Sequence, residues 1–271
     1  MKNYSILSFD VDSWKTTMEA HGLKKDVVGD FVIQEGLPNI LDLLARQGVK
    51  STFFLTGREV LLYPGEHRRI VDNGHEAANH TFSHHPYFGS MSEEEKKKEI
   101  MEADRVVSES LAKPVGFRAP GYQIDEVTLK ILSDIGYLYD SSILPYFLFY
   151  RMFLHSSRQP RHSVSPILEL PISSSALFRI PVNGTTIINL GYEWFKINCL
   201  LLLKKGLPLN INFHARDGVK SLPKEKGLPF YLYRNKQVSL EIIKRVIGFL
   251  QENTQLLTCA QFAGKMKECI L

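Results

Sequence analysis

Cysteine, long apolar segments and runs of one charge sign are all scarce in this 271-residue chain. Its three cysteines, Cys199, Cys259 and Cys269, are widely spaced and odd in number, which fits neither a disulfide framework nor a cysteine metal site and indicates a reducing compartment. The longest apolar stretch, at 143–154, contains Arg151 and is much shorter than the roughly 20 residues that cross a membrane. The apolar run at 4–9 is too short for a signal peptide. We therefore expect a cytoplasmic protein.

The charge balance is only mildly basic, with 33 Lys and Arg residues against 29 Asp and Glu and a formal net charge of +4. No run of five or more basic residues occurs, so the basic patch that nucleic-acid binding requires is missing from the sequence. The segment from Glu93 to Lys98 places three acidic residues before three basic ones, which is typical of a solvated helix face. We expect no nucleic-acid partner.

Strand-like apolar runs alternate with helical patterns along the chain, which predicts βα units and a parallel sheet. No low-complexity linker or internal repeat interrupts the pattern, so we expect one α/β domain over residues 1–271. Helix signals are specific: Gly48 ends a helix predicted at 37–47, Ser92 and Glu95 form a capping box, and Asp125 begins a helix that Gly136 ends. The predicted strands are 5–9, 51–55, 75–79, 115–118, 137–140, 168–170 and 209–213, and further helices are predicted at 66–73 and 239–252.

Residue types that can perform chemistry stand where the predicted strands end. A parallel barrel places its active site where the carboxyl ends of its strands converge. We therefore expect polar groups that are distant in sequence to share one cavity. These groups are Asp10, Asp12, His80, Arg118, Asp140 and His214.

Two pairs of residues suggest a metal site. His80 and His84 are four residues apart, so on a helical turn both imidazoles would lie on one face and reach one ion. Asp10 and Asp12 flank Val11 in an extended segment, so both carboxylates should point to the same side. Adjacent carboxylates raise each other's pKa unless cations lie nearby. A metal ion beside one and an arginine beside the other would satisfy them, which predicts a divalent metal cofactor, with Zn²⁺ as the first choice.

A series of motifs in order along the chain resembles the polysaccharide deacetylase family, whose members share the NodB-type catalytic domain of carbohydrate esterase family 4. The resemblance covers most of the chain and implies a distorted (β/α)7-type barrel. The motifs are Ser8 to Asp12, Gly74 to Glu76, Asn79 to His84, Gly116 to Tyr122, Tyr139 to Ser142 and Asn212 to His214.

The same resemblance implies a role for each matching residue. Asp10 would be the general base, Arg118 would hold its carboxylate, and His214 would be the general acid. The backbone around Tyr122 would help to bind the oxyanion. His80 and His84 would be metal ligands.

One departure affects the third ligand. The common family pattern has two adjacent aspartates, and here Val11 takes the usual ligand position. A branch of the family spaces its acidic residues by one, so Asp12 would complete the metal site. Some relatives with altered motifs act without metal, which leaves cofactor dependence open.

Two further carboxylates are candidates for contact with the substrate or the catalytic residues. Asp140 could orient the imidazole of His214 or cap a helix instead. Asp217, three residues after His214, could bind substrate. We include both in the predicted site.

The implied reaction is hydrolysis of an acetyl or formyl group from an amino sugar. The aromatic stretch 144–154, together with Trp194 and the leucines at 200–203 beside Lys204 and Lys205, predicts peripheral contact with a membrane or a lipid carrier. Simple packing against the barrel or in a dimer is the alternative, and the oligomeric state stays open. The opening motif and this apolar segment resemble the lipid-linked aminoarabinose deformylases, which implies an undecaprenyl-phosphate-linked sugar.

Two other functions remain open from the sequence. One is hydrolysis of a non-sugar amide or cyclic imide, as in allantoinase-like relatives. The other is a carbohydrate- or lipid-binding module that has lost catalysis. The joint presence of Asp10, Arg118 and His214 argues against the second, because binding alone requires no acid and base pair.

Overall fold

The computed structural model describes residues 3–23, 29–145, 161–162 and 166–268. Within these ranges, one sheet contains nine strands. They are β1 (Tyr4–Val11), β2 (Thr52–Leu55), β3 (Glu76–Asn79), β4 (Gly116–Phe117), β5 (Tyr139–Asp140), β6 (Arg161–His162), β7 (Leu168–Glu169), β8 (Leu209–His214) and β9 (Gln255–Leu257).

Helices connect the strands and cover the sheet. A π-helical turn at Val32–Gly36 leads directly into the second helix. The α-helices of the described residues are α1 (Trp14–Ala20), α2 (Leu37–Gln47), α3 (Gly57–Leu62), α4 (Pro64–Asp72), α5 (Glu93–Ser110), α6 (Glu126–Asp134), α7 (Gly184–Leu190), α8 (Tyr192–Lys204), α9 (Ser239–Asn253) and α10 (Cys259–Glu268).

The sheet is parallel apart from the short strand β6, and its order is β6-β7-β5-β4-β3-β2-β1-β8, with β9 also paired to β1. A contact between opposite ends of this order shows that the sheet curls. The amide of Ser173, in the segment after β7, donates a hydrogen bond of 2.9 Å to the carbonyl oxygen of Asn210 in β8. The predicted α/β class and distorted (β/α)7 barrel are thus confirmed.

Strand β1 shows how the sequence builds both the core and the site. Its side chains alternate between two faces. Leu7, Phe9 and Val11 face the large apolar core under the helices, and Phe9 stacks on Phe53 with 5.2 Å between ring centroids. Ser8 and Asp10 face the other way, into the barrel, where both accept hydrogen bonds from a buried arginine. One strand therefore stabilises the fold on one face and supplies polar groups on the other.

Local signals located several helices well. Helix α2 has the predicted bounds, and Gly48 caps it with a φ of 64°, in the left-handed region that glycine tolerates. The capping box of Ser92 and Glu95 begins α5, and the side chain of Asp125 accepts from the amide of Thr128 to begin α6. Several elements were not predicted, among them α3, β9 and α1, although Ser13 caps α1. No helix in the described part of the chain has both the length and the apolar character to cross a membrane.

His67 in α4 makes the stability of this fold depend on pH. Its ring is fully buried, and Nδ1 lies 2.8 Å from the carbonyl oxygen of Tyr63. Burial lowers the pKa of His67 to about 4 from an ordinary value of 6.5. Below pH 6.5 the unfolded chain therefore binds a proton that the folded chain refuses, so stability falls as the pH decreases.

We predict that His67→Gln makes unfolding less sensitive to acid. Between pH 7 and pH 5 the wild-type protein should lose about 2 kcal/mol of unfolding free energy through His67, and the variant should not show that loss. Urea unfolding at the two pH values measures the difference. His85→Gln, at an exposed position, is the control; an equal loss in wild-type and His67→Gln proteins would contradict the prediction.

Candidate active site

Arg118, immediately after β4, is the centre of the polar network inside the barrel. It is fully buried, and its Nη1 donates to Asp10 Oδ1 at 2.6 Å and to Asn212 Oδ1 at 2.8 Å. Nη2 donates to Ser8 Oγ at 3.1 Å and to Ser141 Oγ at 2.9 Å, while Nε donates to the Ser141 carbonyl oxygen at 2.9 Å. All five N–H groups of the guanidinium are therefore used.

The surroundings of Arg118 explain why it can be buried here. The guanidinium lies over the ring of Phe54, 3.9 Å from its centroid, which adds a cation–π contact. Gly116 lets the ring of Tyr139 pack against the strand, since a Cβ at this position would lie 1.8 Å from that ring. Arg118, directly after the short strand β4, thus has its charged side chain beside aromatic rings.

Asp10 is held as a charged carboxylate by this network. Its second oxygen, Oδ2, accepts from Asn212 Nδ2 at 3.0 Å. Burial acts to raise the pKa of Asp10, but Arg118, with the nearby imidazoles of His80 and His214, more than offsets burial and holds the pKa well below its usual range. Asp10 is therefore ionised and positioned to accept a proton.

Asp12, His80 and His84 bring three ligand atoms together, all within 4.8 Å of one another. Asp12 Oδ1 lies 3.7 Å from His80 Nε2 and 3.6 Å from His84 Nε2. This oxygen is buried without a hydrogen-bond partner among the described residues, a costly state for a carboxylate unless a cation binds it. His80 Nδ1 lies 2.6 Å from the carbonyl oxygen of Arg118, which fixes Nδ1 as the donor and leaves Nε2 free. The donor set fits a divalent metal ion with open coordination positions.

The two histidines meet by a different backbone path from the one predicted. Residues 80–85 form no helical turn. Thr81 and His84 have φ values of 66° and 55°, in the left-handed region that non-glycine residues seldom adopt, and the amide of Thr81 donates to Asn79 Oδ1 at 2.8 Å. The pairing of the two imidazoles, with 4.9 Å between ring centroids, is as expected, but the predicted helical turn is wrong because side-chain hydrogen bonds shape this loop.

His214, at the end of β8, completes the cluster, because register places it beside Asp10. Its Nε2 lies 3.7 Å from Asp10 Oδ2 and 3.9 Å from Asp12 Oδ2. Burial, reinforced by the nearby charge of Arg216, lowers the pKa of His214 to about 4. Two carboxylates and three imidazoles therefore surround one small space at the carboxyl ends of the strands.

Comparison with known proteins identifies the family that part of this chain resembles. Residues 8–139 match the family model for Polysaccharide deacetylase. A peptidoglycan-N-acetylglucosamine deacetylase of Bacillus cereus is 31% identical over 100 residues, covering 37% of this chain and 46% of that protein. Residues 8–139 therefore belong to a polysaccharide deacetylase domain.

Two solved structures share the fold of the deacetylase domain across nearly the whole chain. A Mycobacterium smegmatis protein attributed to the polysaccharide deacetylases has a TM-score of 0.71 at 19% identity, covering 100% of this chain and 92% of that one. The allantoinase Puue also has a TM-score of 0.71, at 15% identity, covering 96% of this chain and 88% of its own. The sequence match to the Bacillus protein spans less than half of that relative.

In the deacetylase domain, Asp140 does not orient His214. Its carboxylate accepts from the amide of Ser142 at 2.8 Å and from Ser142 Oγ at 2.6 Å, and burial raises its pKa to about 7. His214 Nδ1 is buried without a hydrogen-bond partner in the described residues, so the predicted orienting contact is wrong. Ser142 Oγ also accepts from the amide of Ala119 at 2.8 Å, so Asp140 supports the loop that carries Arg118.

Asp217 also binds protein groups. Its Oδ2 accepts from the amide of His214 at 3.0 Å, and its Oδ1 pairs with the buried ammonium of Lys236. This arrangement fixes the backbone at His214. Substrate binding by Asp217 or Asp140 stays a prediction, and both carboxylates already hold the loops around the site.

Tyr122 lies in a strained turn beside the site, with a φ of 59° following 58° at Gly121. Its hydroxyl oxygen accepts from Asn212 Nδ2 at 2.8 Å, and burial raises its pKa to about 12. Its amide donates to the Ala119 carbonyl oxygen at 3.0 Å. An oxyanion contact through this amide, expected from the family resemblance, would have to replace that turn hydrogen bond.

Several contributors to the site were not predicted from the sequence. Strand alternation could have identified Ser8, two residues before Asp10, and Asn212, two residues before His214. Arg216, whose Nη1 lies 3.9 Å from Asp12 Oδ2, and Glu59 in α3 carry no sequence signal, since only the folded chain brings them near Asp12.

We predict that Arg118→Leu lowers the unfolding free energy by about 3–5 kcal/mol, because it leaves the buried Asp10 carboxylate without its cation. The double variant Arg118→Leu with Asp10→Leu should recover part of this loss. Urea unfolding measures both, and Arg68→Leu, which removes an exposed ion pair with Asp72, should cost less than about 1 kcal/mol. A loss of similar size for Arg118→Leu and Arg68→Leu would argue against a central role for Arg118.

Proposed function

We propose that this protein hydrolyses the acyl amide of an N-acetyl or N-formyl amino sugar, with a divalent metal ion held by Asp12, His80 and His84. One observation carries the proposal: an ionised carboxylate, a three-ligand cluster and a histidine proton donor lie within 4 Å contacts of one another. Amide hydrolysis needs a proton acceptor, a positive centre and a proton donor around one carbonyl.

The metal site suits this chemistry because it is buried and its ligands come from a rigid barrel edge. A divalent ion bound there would lower the pKa of a water molecule and polarise the acyl carbonyl. Imidazole and carboxylate ligands favour Zn²⁺, although other first-row ions bind the same donors.

Asp10 would take the proton from the attacking water. The ion pair with Arg118 keeps its carboxylate charged and limits its rotation, so Oδ2 is the oxygen that faces His214. Asn212 donates to the same oxygen and restricts it further. The carboxylate is therefore oriented before substrate arrives.

His214 would protonate the departing amine. Its low pKa means that the imidazole is neutral in the resting protein. Asp10 Oδ2 lies 3.7 Å from His214 Nε2, so a proton accepted by Asp10 is released beside the imidazole that passes it to the leaving nitrogen. This order uses the low pKa values of both groups and requires no protonated histidine in the free enzyme.

An amino-sugar substrate is supported by the relative from Bacillus cereus, which is named for N-acetylglucosamine deacetylation in peptidoglycan. The fold alone does not separate this reaction from cyclic imide hydrolysis, since an allantoinase shares it. The motif from Asp10 to His214 and the family match at 8–139 favour the sugar. Release of acetate or formate would distinguish amino-sugar deacylation from cyclic imide hydrolysis.

We further propose that the sugar is a cytoplasmic precursor carried on a lipid. In α8, Ile197, Leu200 and Leu201 are exposed near Lys204 and Lys205 at the end of the helix, a combination that suits an interfacial contact. Phe195 in the same helix is fully buried, so only part of the apolar content is exposed. Most of the predicted aromatic stretch 144–154 lies outside the described residues.

We predict that zinc-loaded protein releases acetate or formate from N-acyl glucosamine oligomers and that Asp10→Asn abolishes this release. The asparagine keeps the shape but loses the proton acceptor. His214→Ala should lower the rate at least about 100-fold. Zinc content by elemental analysis should stay near one per chain in Asp10→Asn, because Asp10 lies outside the three-ligand cluster. Hydrolysis of allantoin with no acetate or formate from any amino sugar would refute the proposal.

We predict that His80→Ala and His84→Ala lose zinc on dialysis, because each removes one of three protein ligands. Elemental analysis of the dialysed proteins measures the loss. His85→Ala is the matched control, since this neighbouring histidine is exposed and outside the cluster. Full zinc occupancy in either ligand variant would show that the ion binds elsewhere.

A further inference from the structure

Glu59, in α3, is a buried carboxylate that interacts electrostatically with Asp12 and His84 of the proposed metal site. Its side chain is 1% exposed. Oε1 accepts from Ser13 Oγ at 2.8 Å and from Thr16 Oγ1 at 2.5 Å. Burying a carboxylate costs free energy. An aliphatic side chain at position 59 would avoid that cost.

The contact with Ser13 connects Glu59 to Asp12. Ser13 is the next residue in the chain, and its Oγ caps α1 by accepting from the amide of Thr16 at 3.0 Å. Arg58 Nη2 donates to Thr16 Oγ1 at 2.7 Å and lies 3.6 Å from Glu59 Oε1, which adds a positive charge to the group. These contacts fix the chain immediately after the aspartate ligand.

Glu59 and His84 each have one buried, unsatisfied side-chain atom. Glu59 Oε2 and His84 Nδ1 are both buried, and each lacks a hydrogen-bond partner among the described residues. The two side chains interact electrostatically, and Glu59 also interacts with Asp12. His84 Nε2 faces Asp12 Oδ1 at 3.6 Å, so Nδ1 is the nitrogen left to carry the proton when Nε2 binds an ion. A ligating histidine usually donates this second N–H to a carboxylate or carbonyl oxygen.

We propose that Glu59 is a positioning residue for the metal site. Its Oε1 fixes the chain at Ser13, next to Asp12, and its Oε2 accepts the Nδ1–H of His84 once an ion is bound. The inference rests on the metal site proposed above. Glu59 touches neither the ion nor the substrate, and acts through two of the three ligands.

Zinc affinity measured by competition with a chelator tests this role without an activity assay. Glu59→Gln keeps Oε1 for Ser13 and Thr16 but replaces Oε2 by a donor, and should weaken zinc binding by about 10-fold. Glu59→Ala removes both contacts and should weaken it by up to about 100-fold. Thermal unfolding of the metal-free proteins shows whether each variant is folded, and the conservative Gln variant keeps the test decisive if the Ala variant is not.

Asp30→Asn is the matched control. Asp30 is also a buried carboxylate beside the start of α1, where it accepts from the amide of Trp14 at 2.7 Å. Among the described residues, no hydrogen bond or ion pair joins it to Ser13 or to the proposed metal ligands. Its zinc affinity should stay within about 3-fold of wild type.

Three results would decide against part of the proposal. Wild-type affinity in both Glu59 variants would overturn the positioning role and leave the metal site intact. An equal loss in Asp30→Asn would overturn it as well, since the effect would then come from α1 in general. Failure of the wild-type protein itself to bind zinc would remove the proposed metal-dependent function and the inference with it.

Discussion

The ion pair between Arg118 and Asp10 is the constraint on which the rest of the site depends. Burying these two charges is favourable only because every N–H of the guanidinium has an acceptor and Phe54 covers its face. The acceptors come from β1, β8 and the turn after β5, so the pair joins strands across the barrel. The backbone carbonyl oxygen of Arg118 accepts a hydrogen bond from His80 Nδ1. One arginine therefore positions the proposed base with its side chain and a proposed ligand with its backbone.

Asp10 and Asp12, on either side of the last residue of β1, have identical side chains but different surroundings. Both are buried, and both have pKa values below the usual range although burial opposes this. Asp10 owes its low pKa chiefly to Arg118, which donates a hydrogen bond to its Oδ1. Asp12 owes its low pKa chiefly to the nearby imidazoles of His84 and His80, which offset burial. These different surroundings suit Asp10 to the proposed proton transfer and Asp12 to the proposed coordination.

Sequence reasoning located the fold and the members of the site because both follow strand patterns. The alternation in β1 predicts that Asp10 and Asp12 share a face, and parallel strands predict that His214 arrives beside them. Contacts set by tertiary structure were beyond reach. The left-handed residues Thr81 and His84 depend on Asn79 and on packing, and the pairing of Asp217 with Lys236 joins segments that only the fold brings together. Local sequence patterns therefore identify residues of the site, while the contacts that these residues make depend on the fold of the whole barrel.

The charges around the site also favour the proposed chemistry as a set. Asp10 and Asp12 are balanced by Arg118 and Arg216, and the imidazole of His214 is uncharged at rest because burial lowers its pKa. A divalent ion would then bring two positive charges, and the nearby Glu59 carboxylate would offset one of them. Negative charge that develops on a carbonyl oxygen would thus meet a net positive charge and fixed dipoles. Without the ion the same residues are close to neutral, so the geometry alone would give little stabilisation to an oxyanion.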